Sequence, residues 1–143
     1  ISDLYDRKFD VVKGLNDYEN EIRQQRELLK MLNTYWTSKA VHDEYVKSAN
    51  KEKYRREHSR QLEVFKSSKE WLRERYTGNS LPNRSVLEVK ISETESKREA
   101  LLDEYHEMKT SLKKLENVHD RLSKLLESEL SQSEKEKQKS ELE

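Results

Sequence analysis

Cysteine is absent from the 143 residues, and there is one proline and two glycines. The lack of cysteine excludes a disulfide framework and any zinc site built on thiolates, and fits a reducing cytoplasm. With so few glycines and one proline there are few places to turn. No run of alternating Val, Ile or Tyr is bounded by turn residues, so strands are not expected. No apolar stretch approaches the roughly 20 residues needed to span a bilayer, and no signal peptide is visible. Gly14 and Gly78 cannot supply a phosphate-cradling G-x-x-x-x-G-K-[ST] loop or a G-x-G-x-x-G turn. The chain begins at Ile1 rather than Met, which predicts an excised piece of something longer.

What the chain has is charge. Charged residues make up 41% and apolar residues only 31%, with a mean hydropathy of −1.23. A narrow apolar seam on long helices accommodates that balance; a large globular core does not. The formal net charge is zero, but it is uneven. Residues 1–36 carry six basic and seven acidic side chains, residues 37–84 carry twelve and seven, and residues 85–143 carry eleven and fifteen. The middle third is the basic part.

Aliphatic residues recur at alternating spacings of four and three. The first seam reads Leu4, Lys8, Val11, Leu15, Tyr18, Ile22, Gln25, Leu29, Leu32, Trp36, with eight of ten positions apolar or aromatic. That is the signature of a helix packed along one stripe. Ser2 is the expected N-cap, with Asp3 favourable to the dipole of the first turn. A second seam reads Leu87, Ile91, Thr94, Arg98, Leu101, Tyr105, Met108, Leu112, Leu115, His119, Leu122, Leu126, and Leu130 is its last credible residue. Ser85 is the expected N-cap here, with Glu88 completing a capping box. The tail SQSEKEKQKSELE is expected as frayed helix or disorder.

Between the seams, the sequence predicts a short helix over about 38–48 and a longer one over about 51–76, with Asn50 as the break. Tyr35, Tyr45, Tyr54 and Tyr76 cluster there with Trp36, Phe65 and Trp71, as a small aromatic core or an exposed aromatic surface. The expected fold is all-α: a long antiparallel coiled-coil hairpin with a small helical tip. Its parts are a first helix over 1–36, a basic tip and turn over 37–84, a returning helix over 85–130 and a polar tail over 131–143. Matching the two seams end to end sets Trp36 near Thr94 and Leu4 near Leu126. The competing layout is an extended rod that dimerises in parallel; ERYTGNSLPNRSVL, with Gly78 and Pro82, interrupts the heptad it needs.

No catalytic constellation is apparent. His42, His58, His106 and His119 are widely separated, and no pair has metal-ligand spacing. His119 falls on the second seam, and His58 on the apolar face of the middle helix. No cofactor, metal or small-molecule substrate is expected. The strongest charge signal is KSANKEKYRREHSR, where Lys47, Lys51, Lys53, Arg55, Arg56 and Arg60 stand against Glu52 and Glu57. These six are the candidate DNA or partner contacts, with Tyr54 interleaved for stacking. The plainer reading is a solvated face in which Glu57 and Glu63 pair with nearby bases.

Two long pieces, LLKMLNTYWTSKAVHDEYVKSANKEKYRREHSRQLEVFKSSKEWL and SLPNRSVLEVKISETESKREALLDEYHEMKTSLKKLENVHDRLSKLL, carry an ordered set of short motifs. A run ending in Tyr35 precedes Val41-x-x-x-Tyr45, then Glu57-His58 and Leu62. Leu81-Pro82 introduces a last helix with Tyr105 in its middle and Asn117-Val118 near its end. In this order and spacing, over about residues 20–127, the chain resembles the C-terminal helical region of relaxases, the mobilisation nucleases of conjugative transposons and plasmids in Gram-positive bacteria. The resemblance implies a bacterial, cytoplasmic parent that nicks one DNA strand at a transfer origin through a catalytic tyrosine, with a divalent metal held by histidines of an N-terminal domain. These residues hold no clustered histidine motif, so no tyrosine here takes the nucleophile's role. The implied role is accessory: self-association, protein partnership or DNA contact. The alternative is a structural coiled-coil spacer or dimerisation segment of an unrelated cytoplasmic machine.

Overall fold

The computed structural model describes residues 2–78 and 80–142, with side chains through residue 139. Four helices follow one another: α1 (Ser2–Lys47), α2 (Lys51–Glu57), α3 (Ser59–Arg75) and α4 (Arg84–Leu142). No strand occurs among the described residues, and the all-α class is as expected.

Several boundaries differ from the sequence reading. Ser2 is already the first helical residue of α1, with Asp3 in the first turn as anticipated. The helix does not stop at Trp36 but continues to Lys47. Residues 37–47 contain neither Gly nor Pro, so nothing in them removes a backbone hydrogen bond. The break falls at residues 48–50, where the Asn50 carboxamide accepts a hydrogen bond from the Lys53 N–H at 3.1 Å and caps α2. The single middle helix expected over 51–76 is two helices divided at His58, whose backbone sits at φ −123°, ψ 23°. At the start of α4 the cap is Asn83 rather than Ser85: its Oδ1 accepts from the N–H groups of Ser85 (2.9 Å) and Val86 (3.3 Å). A short side chain one residue ahead of the helix reaches those free donors; Ser85, already inside the first turn, does not.

The chain forms two compact units. In the unit Asn16–Glu99, three helical segments surround a buried cluster of Leu32, Leu72, Leu87 and Ile91, with Leu28, Leu29, Met31, Tyr35, Trp71 and Leu81 packed against it. α3 runs antiparallel to α1: Phe65 meets His42, whereas Trp71, Arg75 and Tyr76 lie beside residues 24–28. The first turns of α4 are also antiparallel to α1. Arg84 donates to Asn33 Oδ1 at 3.2 Å, Gln25 donates to Thr94 Oγ1 at 3.4 Å, and Arg26 pairs with Glu95.

This register corrects the end-to-end match of the seams. Thr94 faces Gln25, and Trp36 lies beside residues 81–85 instead of Thr94. Packing of Leu32 against Leu72, Leu87 and Ile91 aligns the helices here, and α1 runs past Trp36 as a surface for α3. Tyr76 ends α3 in extended backbone, its N–H donating to Leu72 O at 2.8 Å. Gly78 follows at φ +90°, a conformation costly for residues with a Cβ. Asn79, within the quoted turn, lies outside the described residues.

The other unit joins Ile1–Leu15 to Ala100–Glu143. Here too α1 and α4 are antiparallel: Arg7 bonds Glu104 at 2.6 Å, and the Tyr5 hydroxyl donates to Glu116 at 2.5 Å. Val11, Met108 and Leu112 are buried between them. Gly14 allows a close approach, since a Cβ there would stand 2.8 Å from Leu101 Cδ2. Beyond Leu112 the second seam loses its cover. Leu115, Val118, Leu122, Leu125, Leu126 and Leu130 are exposed, and so is His119. Leu126 therefore does not face Leu4; residues 5 and 7 of α1 already engage residues 116 and 104. α4 continues through residues 131–142, where a frayed or disordered tail was expected; Glu, Lys and Gln there are strong helix formers. Glu143 lies outside the described residues.

Candidate nucleic-acid interface

The basic segment lies within the three-helix unit. Lys47 ends α1; Lys51, Lys53, Arg55 and Arg56 occupy α2; Arg60 opens α3. All six are exposed. None forms a salt bridge among the described residues, and the pairing expected of Glu57 and Glu63 does not occur. The six cations thus form a solvated face, without the ion pairs expected of Glu57 and Glu63.

The six do not converge on one point. Arg55 lies over Tyr45: its guanidinium donates to the Tyr45 hydroxyl at 2.6 Å and stands 5.5 Å from the centre of that ring. It contributes to an open groove of about 600 Å³ lined by His42, Tyr45, Phe65, Glu63, Lys66 and Lys69, among others. Arg60 instead lines a different groove, with Asn33, Thr34, Thr37, Val41 and Val64. Lys47, Lys51, Lys53 and Arg56 line neither groove. The cations Lys66 and Lys69 were missed in the sequence because they lie outside the dense run. Their signal was spacing: Lys66 and Lys69 follow Leu62 and Phe65 at helical intervals, so they flank the apolar face of α3.

Beneath the cations, aromatic rings form a continuous series. Trp36 meets Tyr35 edge-on at 5.1 Å, Tyr35 stacks on Phe65 at 5.5 Å, and Phe65 stacks on His42 at 4.4 Å. His42 neighbours Tyr45 at 6.4 Å, Tyr45 neighbours Tyr54 at 6.2 Å, and Tyr54 stacks on His58 at 4.0 Å. Aromatic pairs at these separations add to the burial of their area. Of the rings, Phe65 is buried, Tyr35, His42, Tyr45, Tyr54 and His58 are half-buried and Trp36 is exposed. Five of the seven aromatic residues expected to cluster, Tyr35, Trp36, Tyr45, Tyr54 and Phe65, join this series with two histidines, and Phe65 alone of its rings is buried. Tyr76 and Trp71 lie apart from the series, beside residues 24–28, with Arg75 3.7 Å above the Trp71 ring.

Tyr54, expected to stack on a ligand, is engaged within the protein. His58 covers one face, and its hydroxyl donates to Glu44 Oε2 at 2.9 Å. Partial desolvation, then the hydrogen bond and negative charge of Glu44, raise the Tyr54 pKa above the usual phenol value. Tyr54 is a joint between α1 and α2 rather than a free stacking ring.

No group of three or more His, Asp or Glu that could hold a metal occurs among the described residues. His106 and His119 are exposed on α4, the latter 4.0 Å from Asp120. No helix among the described residues is long and apolar enough to cross a membrane. Among known proteins, no family model, curated protein or solved structure matches the chain.

Proposed function

We propose that the chain is a non-catalytic accessory helical region of a conjugative relaxase, supporting plasmid or transposon DNA mobilisation through protein interaction and through phosphate contact at its basic segment. The observation that carries the phosphate contact is that all six cations are exposed and form no salt bridge among the described residues, while one of them, Arg55, shares a groove with Lys66 and Lys69. Such a surface attracts a polyanion by releasing its counterions, with little dependence on base sequence. The relaxase setting rests on the ordered sequence resemblance.

A gel shift with transfer-origin DNA at low salt tests this reading, alongside pulldowns with a nickase domain and secretion-channel proteins. Binding that weakens steeply with salt and is lost in Lys51→Glu/Lys53→Glu/Arg56→Glu supports it. No interaction with DNA, nickase domain or channel protein at low salt sinks it.

The structural-spacer reading is favoured by one observation: α1 and α4 run 46 and 59 residues without a break. It requires that the same charge reversal leave the parent's activity unchanged.

A further inference from the structure

The groove beside Tyr45 joins two kinds of surface in one recess. Its floor is apolar and aromatic, made by Leu62, Phe65 and the rings of His42 and Tyr45. Phe65 is buried, with His42 stacked on it at 4.4 Å; His42 and Tyr45 are half-buried and line the groove with the rest of their ring surface. Arg55 of α2 and Lys66 and Lys69 of α3 line the same groove against one carboxylate, Glu63. None of these four forms a salt bridge among the described residues. The Tyr45 hydroxyl holds the Arg55 guanidinium in place at 2.6 Å, and Lys69 stands 5.7 Å from the centre of the Phe65 ring.

We propose that this groove takes an unpaired stretch of DNA, with a base lying on the His42 and Tyr45 rings and neighbouring phosphates meeting Arg55, Lys66 and Lys69. The proposal rests on the phosphate-contact reading above and narrows its ligand to a single strand.

Two observations separate this occupant from the others. Cations alone would suit a duplex or an acidic peptide, but neither uses the rings. A paired base has its faces covered by its neighbours in the stack, and a carboxylate side chain has no broad flat face. An unpaired strand offers a phosphate and a flat base at every step, and stacking on aromatic side chains tolerates any sequence because every base has a π-face. Size agrees: the recess of about 600 Å³ falls within the roughly 300–1,000 Å³ of small-ligand pockets. It admits a ligand of nucleotide size, whereas a double helix lies across its mouth.

Fluorescence anisotropy with labelled oligothymidylate, and with an oligoadenylate–oligothymidylate duplex of equal length, tests the proposal. Charge alone favours the duplex, which carries the denser array of phosphates, so tighter binding of the single strand is the expected sign of stacking. Tyr45→Leu keeps apolar volume and removes the flat ring. It should weaken the single strand by about 5- to 100-fold and the duplex little, with the cooperative melt retained. Lys51→Glu/Lys53→Glu/Arg56→Glu, outside the groove, should weaken both forms alike. On the unaltered chain, a strand carrying 5-iodouracil should photo-cross-link to His42 or Tyr45. A duplex bound as tightly as the single strand, an equal loss for both in Tyr45→Leu, or cross-links confined to other segments overturns the groove and leaves the phosphate contact standing. Polyglutamate that displaces the strand as readily as unlabelled oligothymidylate overturns it in favour of an acidic peptide. Failure of both DNA forms to bind at low salt removes the phosphate contact, and the groove's proposed occupant with it.

Discussion

Gly14 of α1 faces Leu101 of α4 so closely that an added methyl would stand 2.8 Å from the Leu101 Cδ2. Two effects oppose one another at this site. Alanine improves the helix by about 1 kcal/mol over glycine, but it pushes on the end of the leucine side chain. Gly14→Ala alone should therefore shift the thermal midpoint little. In a Leu101→Ala background the obstruction is gone, and the same change should stabilise by about 1 kcal/mol. A double-mutant cycle by denaturant melts measures the coupling; additive effects would show that the approach is not as close as described.

Capping of α4 separates two neighbouring residues. Asn83→Ala removes the acceptor used by Ser85 and Val86 and should cost about 1 kcal/mol. Ser85→Ala should fall within about 0.5 kcal/mol of the parent, as surface changes away from such features do. Chemical denaturation of the two variants checks the order, and a larger loss at Ser85 would contradict the cap.

Phe65 holds the centre of the ring series, between Tyr35 and His42. Phe65→Ala should destabilise by about 3–5 kcal/mol, the range for a buried aromatic. Phe65→Leu should recover much of that loss in a thermal melt, because it restores volume without the stack. Full recovery would mean that ring geometry contributes nothing.

Tyr54 and Tyr5 both resist ionisation. For Tyr54 the cause is desolvation followed by Glu44; for Tyr5 it is first the hydrogen bond to Glu116. Each pKa is raised in the folded state, so the stabilising contribution is fully present below the ordinary phenol pKa of about 10 and is lost as pH rises through the folded value. Tyrosinate absorbance should show late phases, above the ordinary phenol value, that belong to Tyr54 and Tyr5. Tyr54→Phe should remove one late phase and flatten the alkaline loss of stability. A titration that is uniform across all tyrosines would contradict both contacts.

Much of the helical packing was legible in the sequence because a seam is a local, periodic signal. Every first-seam position from Leu4 to Leu32 is buried or half-buried, including the polar Lys8 and Gln25. Register was not legible: periodicity fixes which face packs but not which turn meets which, and the long-range contacts of Leu32 with Leu72, Leu87 and Ile91 decide that. The His58 break was hidden as well, since residues 51–76 contain neither Gly nor Pro. His58 closes α2 with its backbone N–H donating to Tyr54 O at 2.9 Å and stacks on the Tyr54 ring, a local contact four residues apart that propensity does not announce. The density of cations was plain in the sequence; that only Arg55 and Arg60 reach grooves, each a different one, and that Lys66 and Lys69 join Arg55, required the packing of α2 and α3 on α1.

The interruption between α1 and α2 has a further consequence. Residues 48–50 are non-helical, and the exposed Lys47, Lys51 and Lys53 flank them at the end of α1 and the start of α2. A trypsin-like protease needs an accessible, unfolded stretch beside a basic side chain, and this one supplies several scissile bonds together. Residues 76–83 contain no lysine or arginine, and Arg75 at their edge is held over Trp71. The first nick in the three-helix unit should therefore fall at the basic segment, where a bound polyanion would shield it from cleavage.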